Sequence, residues 1–591
     1  MPQTDHRTNV DIDPTRDVAL TPFARKLLQE HYLRADETPQ LGFARAARAW
    51  CGGDLALAQR LYDGVSKGWF MFASPVLSNA PLPGESVKGM PISCFLTSTD
   101  DTLEGLMAHT TELRWLSVLG GGVGGHWSDV RSVSKKSPGP IPFLHTINAD
   151  MEAYSQGVTR RGSYAAYLDV SHPDIMEFLS LRRVGGDEHR KCFSKGFHHA
   201  VNITDAFMTA VDAGAPWQLI DPHDQTVRET VSARTLWQEI LETRYRTGEP
   251  YLFFIDTANR GLPAAQQKLG LRLTGSNLCS EVTLPVNNDR TAVCCLSSLN
   301  AETYDEWKDS TIVSDLCEML DNVLTYFIDT APAPLSKAVF SASQERAIGL
   351  GLMGFHAYIQ KHNVPFESDK ARKMNRAMFS HIDAESLGAS RRLATQRGEA
   401  PDMVGTGLRF SHRSCLAPNA NSAILLATSP SIEPAAANAF VHEARVGTWP
   451  VRNRYLERLL QEKGQSTDAV WRTIITSKGS VQHLDFLTEH EKAVFKTAIE
   501  IDQMWVVKHA ADRQPYICQA QSVNLFFTSK ADKKAVHAVH RAAHRLGLKS
   551  LYYLRTESSK KAEDVGKTVV RDALIDAVPA VEETGCAACE G

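Results

Sequence analysis

The chain has 591 residues, 43% hydrophobic and 22% charged, with a formal net charge of -4. That length exceeds one ordinary core and implies about two to four domains, or one large barrel with additions. The charge balance excludes the basic footprint of a nucleic-acid binder. The lack of a long apolar run excludes a membrane span, and eleven scattered cysteines suit a reducing cytosol better than a disulfide framework.

Residues 1–20 lack the apolar stretch of a signal peptide and read as a flexible arm. Thr21-Pro22 predicts an N-cap followed by proline in the first helical turn. Phe23, Leu27 and Leu28 begin an apolar stripe, and Phe43 to Trp50 and Leu55 to Tyr62 continue it, giving a helical domain over 21–75. Phe70 to Asn79 turns extended and leads into Pro91 to Leu96. There Cys94, beside Ser93, is either a packed core thiol or a reactive one. The run Leu119 to Gly125 contains G-x-G-x-x-G, as does Gly349 to Gly354. Each permits close approach to an anion or tight packing of backbone on backbone, and neither has a convincing dinucleotide-site context.

Ser276-Asn277-Leu278-Cys279-Ser280-Glu281 places an amide, a thiol and a carboxylate at alternating positions. Gly275 and Pro285 around it predict a loop or short strand. If the segment is extended, Asn277, Cys279 and Glu281 share one face, which suits a catalytic unit; the bland alternative is a buried cysteine in a polar loop. Thr291 to Asn300 reads as a buried strand, in which only one of Cys294 and Cys295 can face the same cavity as Cys279. Ile382 to Arg392 reads as a helix. Before Ile424, Asn421 or Ser422 is a candidate cap for a helix that either binds phosphate or is purely structural. Lys534 to Leu548 forms a basic helix and runs into a short strand holding Tyr552 and Tyr553. Beyond Thr556 the chain is polar and ends in Cys586-x-x-Cys589. A zinc site would need a second ligand pair, and none is nearby, so a mobile, exchanging dithiol is the better reading and no metal site is expected.

Several of these stretches recur in order: Ser93-Cys94, the glycine run, Asn277-x-Cys279-x-Glu281, and Cys294 with Leu296-Ser297-Ser298-Leu299-Asn300. Arg513-Gln514-Pro515, Gln521-Ser522-Val523-Asn524-Leu525-Phe526, Leu551-Tyr552-Tyr553 and the terminal C-x-x-C complete the set. Together they resemble the large catalytic (alpha) subunit of class I ribonucleotide reductase over nearly the whole chain after about residue 20. The resemblance implies an α/β fold: a ten-stranded barrel of two five-stranded halves over 76–560, a central finger loop with Cys279 at its tip, and a redox tail over 561–591.

It further implies that Cys279 becomes a thiyl radical that takes the 3′ hydrogen of a ribonucleoside diphosphate. Glu281 would accept the 3′-hydroxyl proton and Asn277 would hold the sugar hydroxyls. Cys94 and Cys294 would supply two electrons and close a disulfide, which Cys586 and Cys589 would reduce. The family pattern selects Cys294 over Cys295, two residues before the leucine of the L-S-x-L-N run. Tyr552 and Tyr553 would relay the radical. Ser74, Ser93, Gly122, Asn419, Ala420, Asn421 and Ser422 match substrate contacts. Asp101, Thr102, Leu103 and Arg131 match the effector site for dNTP or ATP. A second basic residue of that site falls at Pro138, with Lys135 or Lys136 as substitutes. No cofactor is bound covalently. The implied partners are a metal-containing small (beta) subunit that supplies the radical, thioredoxin or glutaredoxin, and a second copy in a cytoplasmic homodimer. The recognisable region starts near Thr21, so the N-terminal ATP cone of many relatives is expected to be missing. The adenosylcobalamin-dependent class II enzyme is the alternative, against which the tyrosine pair argues.

Overall fold

The structure, a computed structural model, describes residues 3–85, 89–154, 162–182, 196–444 and 447–556. Its first residues differ from the expected flexible arm. Gln3–Asp5 and Val10–Ile12 pair as an antiparallel hairpin, and the Val10 side chain is fully buried in the main core. Burying Val10 against the helices is what offsets the cost of ordering a short polar segment.

Helix α1 (Pro22–His31) starts as predicted, with Thr21 Oγ accepting from Ala24 N at 3.1 Å. Helices α2 (Pro39–Ala49) and α3 (Leu55–Ser66) follow, the latter capped by Asp54. Arg45 of α2 is buried, pairs with Glu37 at 2.7 Å and donates to the carbonyls of Leu77 and Ala80, which ties the helices to the chain entering the barrel. Such a charge is tolerated inside because its partners satisfy its fork of donors.

Five parallel strands form the first half of the barrel: β1 (Cys94–Ser98), β2 (Gly122–His126), β3 (Ser163–Asp169), β4 (Phe197–Ile203) and β5 (Tyr251–Phe254). The second half starts with β6 (Ala292–Asn300) and β7 (Ile348–Met353), again parallel. It continues through bridges from Leu350 to Ser414 and from Leu416 to Gln521, and ends at β8 (Ser550–Leu551), reached by Tyr552 N donating to Val523 O. The halves meet antiparallel twice, β1 against β6 and β5 against β8, so the sheet closes on itself as ten strands. Closure leaves no bare edge and converts alternate residues into a lining for the interior. The predicted helix at 382–392 is part of a longer one, Asp369–Arg397, and the basic helix spans Lys533–Arg545.

Neither glycine motif is a dinucleotide turn, because most of their glycines lie within strands β2 and β7, with Gly120 preceding β2 and Gly354 following β7. Gly124 faces the loop that crosses the barrel, and a Cβ added there would fall 1.8 Å from the carbonyl oxygen of Ser276. The glycines therefore serve close backbone packing.

Candidate active site

The loop after Leu273 runs through the barrel and is held from both halves. Tyr167 OH of β3 donates to Asn277 O at 2.7 Å, Ala520 N donates to Glu281 O at 2.9 Å, and Ser550 Oγ donates to Ser280 O at 2.7 Å. Burial pushes the Tyr167 phenol pKa up, which keeps it a neutral donor.

At its tip, residues 277–281 make a tight turn, the loop rather than the short strand of the two expectations, so the shared face of an extended segment does not arise. Ser280 has φ of 66° and its N–H donates to Asn277 O at 3.2 Å. Asn277 Oδ1 accepts from the N–H groups of Glu281 and Val282, each at 3.1 Å, while Nδ2 donates to Glu281 Oε1 at 2.8 Å. An asparagine side chain that satisfies two main-chain donors stabilises a turn where no strand neighbour is offered. Asn277 and Glu281 thus converge through an i to i+4 closure. Ser522 Oγ lies 2.6 Å from Cys279 O and 3.2 Å from Glu281 Oε2, within hydrogen-bonding reach of both. Asn277, Cys279 and Glu281 are all buried.

On the β1–β6 seam Cys94 stands directly opposite Cys294. Directly opposed residues in an antiparallel pair have Cα atoms about 4.5–5.5 Å apart, within the Cα range at which a disulfide closes. Both thiols share an apolar cluster with Val282 and Leu284, the residues just past Glu281. Cys295 points the other way into the main core, where burial drives its thiol pKa well up. Ser93 O accepts from Gly122 N at 2.7 Å, placing both beside Cys94.

On the other side, Cys279 shares a buried cluster with Tyr167, Tyr251 and Tyr552, against which Tyr553 packs. The ring centroids of Tyr552 and Tyr553 are 4.3 Å apart and those of Tyr251 and Tyr552 are 4.6 Å apart. Tyr552 is buried and Tyr553 partly exposed, so the pair leads from the surface toward the thiol. The tyrosines lie between two short strands rather than within one.

Ser74 and the 419–422 segment, remote in sequence, meet through Tyr32. Tyr32 OH is 3.1 Å from Ser74 Oγ and accepts from Asn421 Nδ2 at 3.3 Å. Helix Ala420–Leu426 has Asn419 at its N-cap position, so Asn421 and Ser422 lie inside its first turn instead of capping it. Asn419 makes no side-chain cap because its Oδ1 accepts from Ser298 Oγ at 3.1 Å. Ala420 opens that helix beside them.

At the surface Arg131 pairs with Asp101 at 2.7 Å, Thr102 Oγ caps the helix Leu103–Val118 by accepting from Gly105 N, and Leu103 is exposed. Lys135 and Lys136 are exposed on the tight hairpin that ends at Pro138. Cys586 and Cys589 lie outside the described residues. Among the described residues no group of acidic, histidine or cysteine side chains is arranged for a metal, and no helix is long and apolar enough to cross a membrane. Tyr32, Tyr167, Cys415 and Gln519 complete the site without any local sequence pattern to mark them.

Two family models cover most of the chain. The ribonucleotide reductase barrel domain matches residues 92–406 and 400–554, and the ribonucleotide reductase all-alpha domain matches 18–85. A Frog virus 3 (isolate Goorha) relative, provisionally described as a ribonucleoside-diphosphate reductase large subunit, is 51% identical over 93% of this chain and 95% of its own. The ribonucleoside-diphosphate reductase large subunit of Invertebrate iridescent virus 3 is 42% identical over 98% of this chain and 100% of its own. The solved Actinobacillus ureae class Id ribonucleotide reductase alpha subunit superposes with a TM-score of 0.81 at 33% identity, covering 92% of this chain and 98% of that one.

Proposed function

Because this chain belongs to the ribonucleotide reductase large-subunit family and is the catalytic subunit of a ribonucleoside-diphosphate reductase, we propose that Cys279, Asn277 and Glu281 carry its radical chemistry. The observation that carries the reading is the turn at 277–281, which sets a buried thiol beside an amide-held carboxylate, with the Cys94 and Cys294 thiols packed against Val282 and Leu284 just past it. A thiyl radical at Cys279 abstracts the 3′ hydrogen of the ribose. Glu281 takes the 3′-hydroxyl proton, and Asn277 orients both the sugar and Glu281. The 2′-hydroxyl leaves as water with a proton from one thiol of the Cys94–Cys294 pair. The other thiol's hydrogen goes to C2′ as the two sulfurs join in a disulfide. Glu281 returns its proton to the 3′ oxygen, and Cys279 returns its hydrogen to C3′, which regenerates the thiyl radical. The closed barrel excludes bulk water from these species.

Large subunits of this kind work with a separate small subunit. We assign the radical source to that partner, as a metal-containing protein, and Tyr553 then Tyr552 to the route inward. Ser93 and Gly122 bind the nucleoside side, and Ser74 with Asn419, Ala420, Asn421 and Ser422 hold the diphosphate. Asp101, Thr102, Leu103 and Arg131, with Lys135 or Lys136, bind the dNTP or ATP effector in a homodimer. Cys586 and Cys589 return electrons from thioredoxin or glutaredoxin. The tyrosine pair and the class Id relative favour class I over the adenosylcobalamin-dependent class.

Cys279→Ser tests the assignment. Serine nearly conserves volume, but its O–H bond is too strong to carry the radical. Deoxynucleotide formation with the small subunit should vanish while nucleoside diphosphate binding stays within about threefold, an allowance for the small change in packing. Retained turnover would remove Cys279 from the centre of the mechanism.

A further inference from the structure

A third thiol borders the reductive pair. Cys415 is fully buried and belongs to the same apolar cluster as Cys94 and Cys294. It reaches Cys294 across β7 at Gly349. A Cβ on that glycine would fall 2.6 Å from Cys415 Sγ and 2.8 Å from Cys294 Sγ. The missing side chain opens a gap that both sulfurs face, each within 3 Å of the position a Cβ would take. Burial first, and then the neighbouring Cys294 sulfur, hold the Cys415 pKa well above its ordinary value, so the thiol is protonated and able to donate across that gap. A second donor approaches from Gln519, whose Nε2 lies 3.6 Å from Cys294 Sγ. Gln519 is itself fixed, since its Oε1 accepts from Thr283 N and its Nε2 also reaches Ile348 O, each at 3.2 Å.

The strand geometry separates the roles of the three sulfurs. Ser414 pairs with Leu350 of β7, and β7 pairs with β6, so Cys415 sits two strands from Cys294. Two strand spacings are about 9–10 Å between backbones, beyond the roughly 7 Å at which a disulfide can close. Cys94, directly opposite, is within that range.

Resting on the assignment of Cys94 and Cys294 as the reductive pair, we propose that Cys415 is a positioning residue that, with Gln519, donates to the Cys294 sulfur and directs negative charge onto it. When the disulfide is reopened, an incoming dithiol's thiolate forms a new S–S bond to Cys94 and the Cys94–Cys294 bond breaks. The electron pair goes to Cys294, which then takes a proton. The leaving sulfur is the one with donors waiting, and a stabilised thiolate leaves faster. Cys94 is also the more open of the two, at 7% exposure against 1%.

The full-length protein tests this without turnover. The oxidised pair is equilibrated against mixtures of reduced and oxidised dithiothreitol, trapped by alkylation, and its thiol and disulfide peptides are quantified by mass spectrometry. Cys415→Ala and Cys415→Val both lack the donor, and valine nearly conserves the volume should alanine fail to fold. Each should move the equilibrium toward the disulfide by about tenfold, which is ~30 mV for a two-electron couple. Cys415→Ser, which keeps a donor, should stay within about twofold of wild type. A Cys94–Cys294 disulfide whose equilibrium is unmoved in both donorless variants overturns the inference alone. So does a Cys294–Cys415 disulfide in the wild type. No Cys94–Cys294 disulfide in the wild type would instead overturn the pair assignment beneath it.

Discussion

Asn277→Asp isolates the electrostatic role of the amide from its structural one. The Oδ1 that accepts from Glu281 N and Val282 N, each at 3.1 Å, is kept, so the turn should survive. The Nδ2 that donates to Glu281 Oε1 at 2.8 Å becomes a carboxylate oxygen. Two unit charges at that separation repel by about 6 kcal/mol at an effective dielectric near 20, so the pair retains a shared proton. That proton blocks the base, and it leaves only at higher pH than in the wild type. Carboxylate pairs of this kind shift by about 1–3 pH units from the ordinary glutamate range, so turnover should fall by up to about twentyfold at pH 6 and about threefold at pH 7, and recover as pH rises. The assay is deoxynucleotide formation with the small subunit from pH 6 to 9, with the thermal midpoint measured alongside. Asn277→Ala is the contrast: it strands two buried N–H groups at about 1–3 kcal/mol each, so it should lose stability as well as activity at every pH. A wild-type pH profile for Asn277→Asp, with the turn intact, would refute the pairing of Asn277 with Glu281 as a functional unit.

Gly124→Ala drives a methyl to within 1.8 Å of the Ser276 carbonyl, and the finger-loop backbone must move. It should cost about 1–3 kcal/mol and most of the activity. Gly388→Ala, in open space on a helix, should instead stabilise by about 0.5–1 kcal/mol, and thermal melts of the two variants decide the comparison. Tyr552→Phe keeps the ring contacts at 4.3 and 4.6 Å but removes the oxidisable phenol. It should fold normally with turnover reduced at least a hundredfold, on the order of 3 kcal/mol. Near-normal turnover would return both tyrosines to a packing role.

Local chemistry was readable wherever it depends on neighbours in the chain. The Thr21-Pro22 helix start follows from one side chain and one missing N–H, and the opposite facing of Cys294 and Cys295 follows from the two-residue repeat of any strand. The motifs at 277–281 and 552–553 could be picked out as candidates because their residue types and order stand in the chain itself. Their geometry was not readable, because it is set by contacts far along the chain. Sequence alone allows a loop or a short strand at 277–281; the interior of a closed barrel offers no strand to pair with, so the Asn277 amide folds the segment into a turn. The glycine run is an anion cradle or a packing surface by composition alone, and only the approach of Ser276 to Gly124 decides between them. Asn421 read as a cap because its neighbours are small and polar; Tyr32, hundreds of residues earlier, gives it a different partner. Cys415 had no motif at all. Its meeting with Cys294 exists because β7 carries glycine at the one position between them, which is a property of the assembled sheet and not of any stretch of sequence.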